Sequence, residues 1–305
     1  MNLIKQIAQK FRSSINRRHF DRELRNIVCT PPITLGQDEF TALSMVHHRD
    51  VESYLLALKS FCRFLHPRKI VMVADPSITD ADLALIAEHV HGIEFVRAED
   101  FRETGMPRGG CWERLIAISE YVQHDYVIQL DADTVTLDFP SEVKKAIAES
   151  RSFVLATEDA QDFVSCQEAA NWAKPRIASG EHVQLLAEGS LDRLPGAESG
   201  RYVRGCAGFS GFAQGSFSRS KLRGFSLAMG QLLADKWSSW GTEQFTSNYL
   251  VSNSPLACVL PHPKYCHPGR ERTGTVFLHF IGYVRFATNR YARAARDACN
   301  ALAGS

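Results

Sequence analysis

From Asp38 onward the chain alternates short apolar runs with longer segments of helical periodicity, and few architectures accept that pattern. "FTALSMVHH" (40–48), "KIVMVAD" (69–75), "GIEFVRA" (92–98) and "YVIQLDAD" (126–133) read as strands. The second is the nearly continuous apolar run of a parallel strand buried on both faces. Between them, "DVESYLLALKSFCRFLHP" (50–67) predicts a helix with Asp50 as N-cap and Pro67 past its end. Its expected buried face is Val51, Tyr54, Leu55, Leu58, Cys62 and Leu65. "TDADLALIAEHV" (79–90) opens with a capping-box pair, Thr79 and Asp82. "CWERLIAISEYV" (111–122) is a further helix. Strands joined by crossover helices predict an α/β chain with a mostly parallel central sheet flanked by helices.

The later chain continues with strand-like "GCAGFSGFAQGSF" (205–217), "LACVLP" (256–261) and "VFLHF" (276–280). Helices are expected over 220–237, 242–253 and 285–303. Residues 1–37 read as a basic helical arm and a linker, the linker set by Pro31-Pro32. In the arm, Leu3, Ile4, Ile7, Phe11 and Ile15 recur at helical spacing among Lys5, Lys10, Arg12, Arg17 and Arg18. Two readings stay open for it: a surface helix packed on the domain, or peripheral contact with an anionic membrane. Residues 38–305 read as the main domain, and 159–204, broken by Gly and Pro, as an insertion over the face where the strands end. A net charge of +1 gives no push toward nucleic acid. Eight cysteines without a C-x-x-C pair and no long apolar signal core lead us to expect a cytoplasmic protein with reduced thiols.

"YVIQLDADTVTL" holds the sharpest chemical signal. Alternation along a strand lets Asp131 and Asp133 point to the same side, at the sheet edge where α/β folds bind ligands. Two close carboxylates repel unless a positive charge joins them. A divalent cation with hard oxygen ligands, Mn²⁺ or Mg²⁺, meets that need.

Four motifs in order then make the chain resemble the GT-A glycosyltransferases, and among them glycosyltransferase family 8. "LDADTVTL" is similar to the family's metal-binding D-x-D segment, and "WERLIAISEYV", with Arg114, to its preceding helix. "TEQFTSN" resembles its D-Q-x-x-L-N segment, with Glu243, Gln244 and Asn248. "LHFIGYVRF" resembles its H-x-x-G-x-x-K-P-W segment, with His279, Gly282 and Arg285. Glu243, Ser247 and Arg285 depart from the family's Asp, Leu and Lys. The resemblance implies a cation held by Asp131, Asp133 and His279. It implies a UDP-sugar donor contacted by Arg114, Asp131, Gly282 and Arg285, with His47 and Tyr54 near the base, and a glycan or lipid-linked acceptor. It implies transfer with retention, Gln244 near the reacting carbon, and Glu243 either binding sugar hydroxyls or acting as a base.

A nucleotidyltransferase is the first rival, but "MVHHRDVESY" is not its glycine-rich opening loop. A non-catalytic binding protein on the same fold is the second. Cys258, His262, Cys266 and His267 lie close in sequence, yet their spacing fits no standard zinc site. Trp237 and Trp240 are expected to pack in the core rather than stack on a sugar.

Overall fold

The computed structural model describes residues 3–177, 182–282 and 284–304; the side chains of residues 3–7, including Leu3, Ile4 and Ile7, lie outside the described set. Helix α1 (Leu3–Leu24) precedes β1 (Asp38–Val46), α2 (Val51–Cys62), β2 (Pro67–Ala74), α3 (Asp80–His89) and β3 (Glu94–Arg97). Then come α4 (Trp112–Tyr121), β4 (Tyr126–Leu130), β5 (Thr134–Thr136), α5 (Ser141–Ala148) and β6 (Phe153–Ala156). The 159–204 region holds α6 (Cys166–Ala173) and α7 (Val183–Glu188). The chain continues through β7 (Gly205–Phe212), α8 (Arg219–Leu233), α9 (Thr242–Ser252), β8 (Cys258–Val259), β9 (Tyr265–Cys266), β10 (Phe277–His279) and α10 (Arg290–Ala303).

Seven strands form the central sheet in the order β8-β6-β7-β4-β1-β2-β3. Only β7 runs antiparallel to its neighbours β4 and β6; the other pairings are parallel. The period-2 pattern sends Phe40, Ala42, Ile128 and Leu130 to one apolar cluster and Leu43 and Val127 to the other. A small sheet, β9-β10-β5, packs beside the first cluster.

Four expectations need correction. Helix α2 has no exposed face: Ser53, Leu56, Ala57, Lys59 and Ser60 are buried along with the expected stripe. It is enclosed by α1, α10, β5 and α3, and the Lys59 ammonium is satisfied by Thr30, the Pro31 carbonyl and His89. Asp50 makes no capping bond. The 30–37 linker is not free of sheet, because Ile33–Thr34 pairs with Val90–His91. The final helix begins only at Arg290, while the Thr79–Asp82 capping box forms as expected.

Candidate active site

Asp131 and Asp133 converge by a turn, not by strand alternation. Leu130 ends β4, and both aspartates lie between it and β5. The Asp131 amide donates to the Gly208 carbonyl at 2.9 Å, and Thr134 Oγ1 donates back to the Asp131 carbonyl at 2.8 Å. Strand β10 pairs antiparallel with β5 so that His279 faces Thr134, and the Phe280 amide donates to the Asp133 carbonyl at 2.8 Å. This register sets the imidazole beside the second aspartate. One donor atom each of Asp131, Asp133 and His279 lies within 4.8 Å of the others.

Two arginines, Arg114 buried and Arg285 half-buried, hold the remaining carboxylate oxygens. Arg114, in the first turn of α4, pairs with Asp131 and lies 3.2 Å from Glu243, in the first turn of α9. It is no solvated helix charge: both Arg114 and Glu113 are buried, and Arg114 Nε has no partner among the described residues. Arg285 pairs with Asp133 and reaches Asp50 at 3.8 Å, so the expected cap residue instead faces the site. Burial would raise the Asp133 carboxyl, but His279 and Arg285 outweigh it and bring it down to about 2. Burial pushes Glu243 up to about 7 against the opposing pull of Arg114. His279 is held well above its usual range by Cys206 and Asp133 despite burial. Two carboxylates and an imidazole suit a divalent first-row cation, and the arginines fix the carboxylates as outer partners do in metal sites.

These groups line a cleft of about 330 Å³ that also admits His47, Gln244, Gly282, Cys206 and Trp240. His47 lies 3.1 Å from Asp75. Gln244 donates to Gln184 of α7 at 3.2 Å, which ties the 159–204 segment to the cleft. Tyr54 is not in the cleft: it is 1% exposed in the core, because α2 turns it inward. Trp237 is core, as expected, but Trp240 is 73% exposed at the cleft. Cys206, 3.3 Å from His279 Nδ1, carried no sequence signal. Cys258, His262, Cys266 and His267 form no ligand cluster among the described residues.

Gly208 shows why β7 needs glycine. A Cβ there would sit 2.0 Å from His279 Cε1, whereas one at Gly282 would meet nothing within 4 Å. Gly208→Ala should therefore displace the imidazole and weaken Mn²⁺ binding by about 10–100-fold. Gly282→Ala should leave Mn²⁺ affinity unchanged. Calorimetric titration of both variants checks this; equal affinities would remove Gly208 from the site's construction.

No protein-family model matches the chain, and no curated protein matches it in sequence. Among solved structures, an active-site mutant of LgtC superposes with a TM-score of 0.51 at 13% identity, covering 86% of this chain and 96% of that one. The glycosyltransferase GlyE of Streptococcus pneumoniae TIGR4 gives 0.51 at 11% identity, covering 88% and 63%. The galactosyltransferase LgtC in complex with donor and acceptor sugar analogs gives 0.49 at 15% identity, covering 86% and 96%. The two superpositions at 0.51 give the chain the fold of the GT-A glycosyltransferases.

Proposed function

We propose that the chain is a glycosyltransferase that uses a divalent cation, Mn²⁺ or Mg²⁺, to move a sugar from a UDP-sugar to an acceptor hydroxyl with retention. The observation that carries this reading is the Asp131–Asp133–His279 donor set in a cleft beyond the parallel strands. Asp131, Asp133 and His279 would hold the cation, whose charge would offset that on the departing diphosphate. Arg285, on the same wall, binds diphosphate oxygens through charge-assisted hydrogen bonds. The open space at Gly282 lets the diphosphate approach the backbone. His47, past the end of β1, lies toward the nucleoside. Gln244, half-buried in the cleft, faces the sugar, and α7 with its neighbours forms the acceptor side.

Glu243 fits a positioning role better than that of a general base. It is 3% exposed, and Arg114 occupies one of its oxygens. Glu243→Gln keeps an acceptor for that guanidinium, so transfer should fall by less than about tenfold, whereas loss of a base costs about 10²–10⁴. NMR of the product's anomeric proton reads the stereochemistry directly, and inversion would reassign Glu243. The test of the whole reading is UDP release from a panel of UDP-sugars with Mn²⁺ and with EDTA. Turnover of one sugar that stops in EDTA is expected. No turnover, with no UDP binding by calorimetry in Mn²⁺, would overturn it in favour of a non-catalytic chain.

A further inference from the structure

Helix α1 has two unlike sides. Its inner side is fixed: Asn16, Phe20, Leu24 and the following Ile27 are buried. Phe20 stacks on Tyr291 of α10 at 3.8 Å, and Asn16 Nδ2 donates to the Phe286 carbonyl at 2.9 Å. The outer side is therefore also fixed. Phe11 is 70% exposed and Ile15 37% exposed, although both are apolar. Phe11, Ile15, Arg18 and Arg22 follow the three- and four-residue spacing of one helical stripe.

Charge is concentrated on the same helix and on Arg25, the residue that follows it. Residues 8–25 carry six basic side chains against two acidic ones, net +4, in a chain whose total is +1. Among the described residues, Lys10, Arg12, Arg18 and Arg25 make no ion pair; Arg22 pairs only with its neighbour Glu23. Arg17 lies over the Phe286 ring, 5.9 Å from its centroid, next in sequence to the cleft residue Arg285. No described helix is long and apolar enough to cross a membrane.

From this placement we infer that α1 docks the protein on an anionic lipid bilayer surface. Such a surface takes both halves of the pattern: phosphate-bearing headgroups pair with the free arginines, and the phenyl ring of Phe11 enters the acyl boundary with Ile15 beside it. A nucleic acid would use the charge but has no need of apolar side chains at the centre of the face. The docking stands on its own, independent of the sugar-transfer reading. Because α1 is bonded to Phe286, it holds the wall of the cleft that bears Arg285 close to the lipid.

The experiment is co-sedimentation of the full chain with phosphatidylcholine vesicles, with and without phosphatidylglycerol, at low and high salt. Binding is expected only to the anionic vesicles, weakening with salt. Arg12→Glu with Arg18→Glu and Arg25→Glu should lower it by at least about tenfold. Phe11→Ser with Ile15→Ser should lower it about tenfold as well. These side chains are exposed, so thermal melts should match the wild type. Absence of binding to anionic vesicles at low salt would overturn the inference. So would binding lost on charge reversal yet unchanged by the two serines and displaced by duplex DNA, since that marks a nucleic-acid or other polyanion surface.

Discussion

On the proposed function, Asp133→Ala is expected to abolish Mn²⁺ binding and to lower sugar transfer roughly a thousand-fold, a loss of about 4 kcal/mol in transition-state stabilisation. Asp133 is the junction of the site: His279 lies 3.1 Å from one of its oxygens, and Arg285 pairs with the other. Removing it would delete a ligand of the proposed cation and also free the two positive groups it orients. His279 is buried and Arg285 half-buried, so the variant also loses stability, by about 1–3 kcal/mol for the buried group left without a partner. Measuring calorimetric Mn²⁺ affinity, initial rate and melting temperature on the same preparation separates the effects. A variant that melts lower but still binds Mn²⁺ and turns over within about tenfold of wild type would exclude Asp133 as a ligand.

Arg114→Met should be the most damaging change to stability in the cleft. It leaves Glu243 buried without its cationic partner and Asp131 without its anchor. Breaking a buried pair by removing one member costs about 3–5 kcal/mol, or roughly 6–10 °C in melting temperature for a chain of this size. The sign with pH follows from Glu243. Its folded carboxyl is already raised from 4.5 to about 7 by burial against the opposing pull of Arg114. A raised carboxyl contributes stability that is complete below its unfolded value and lost as pH rises through the folded one. Without Arg114 the folded value climbs further. The variant should therefore suffer most at pH 8 and least near pH 5, where Glu243 takes up a proton and needs no guanidinium. Thermal melts at the two pH values test this, and an equal loss at both would show that Glu243 does not feel Arg114.

Much of this site was legible because its residues carry strong local signals. Asp131 and Asp133 follow one apolar strand, and His279 closes another with Arg285 six residues beyond it. What failed depends on packing across the sheet. The family resemblance draws Tyr54 toward the base, although periodicity already sets it on the buried face of α2, and neighbours from both ends of the chain cover it there. Asp50 looked like a cap until Arg285, far away in sequence, came within 3.8 Å. Cys206 is near the imidazole only because an antiparallel strand enters a parallel sheet, which no local pattern announces. Trp237 and Trp240 lie three residues apart and are of the same type, yet one is core and the other is open to the cleft. Periodicity tells inside from outside along a single element; it does not tell what another element will bring.

The separation of 146 residues between Asp133 and His279 has a bearing on biosynthesis. Ribosomes add about 5–20 residues per second, so the nascent chain holds the paired aspartates for roughly 7–30 s before their imidazole exists. Through that interval β4 can already pair with β1, but β5 has no β10 to complete its ladder. The cleft is therefore completed only once β10 has left the ribosome, and the three-residue donor set cannot form in a growing chain before that point.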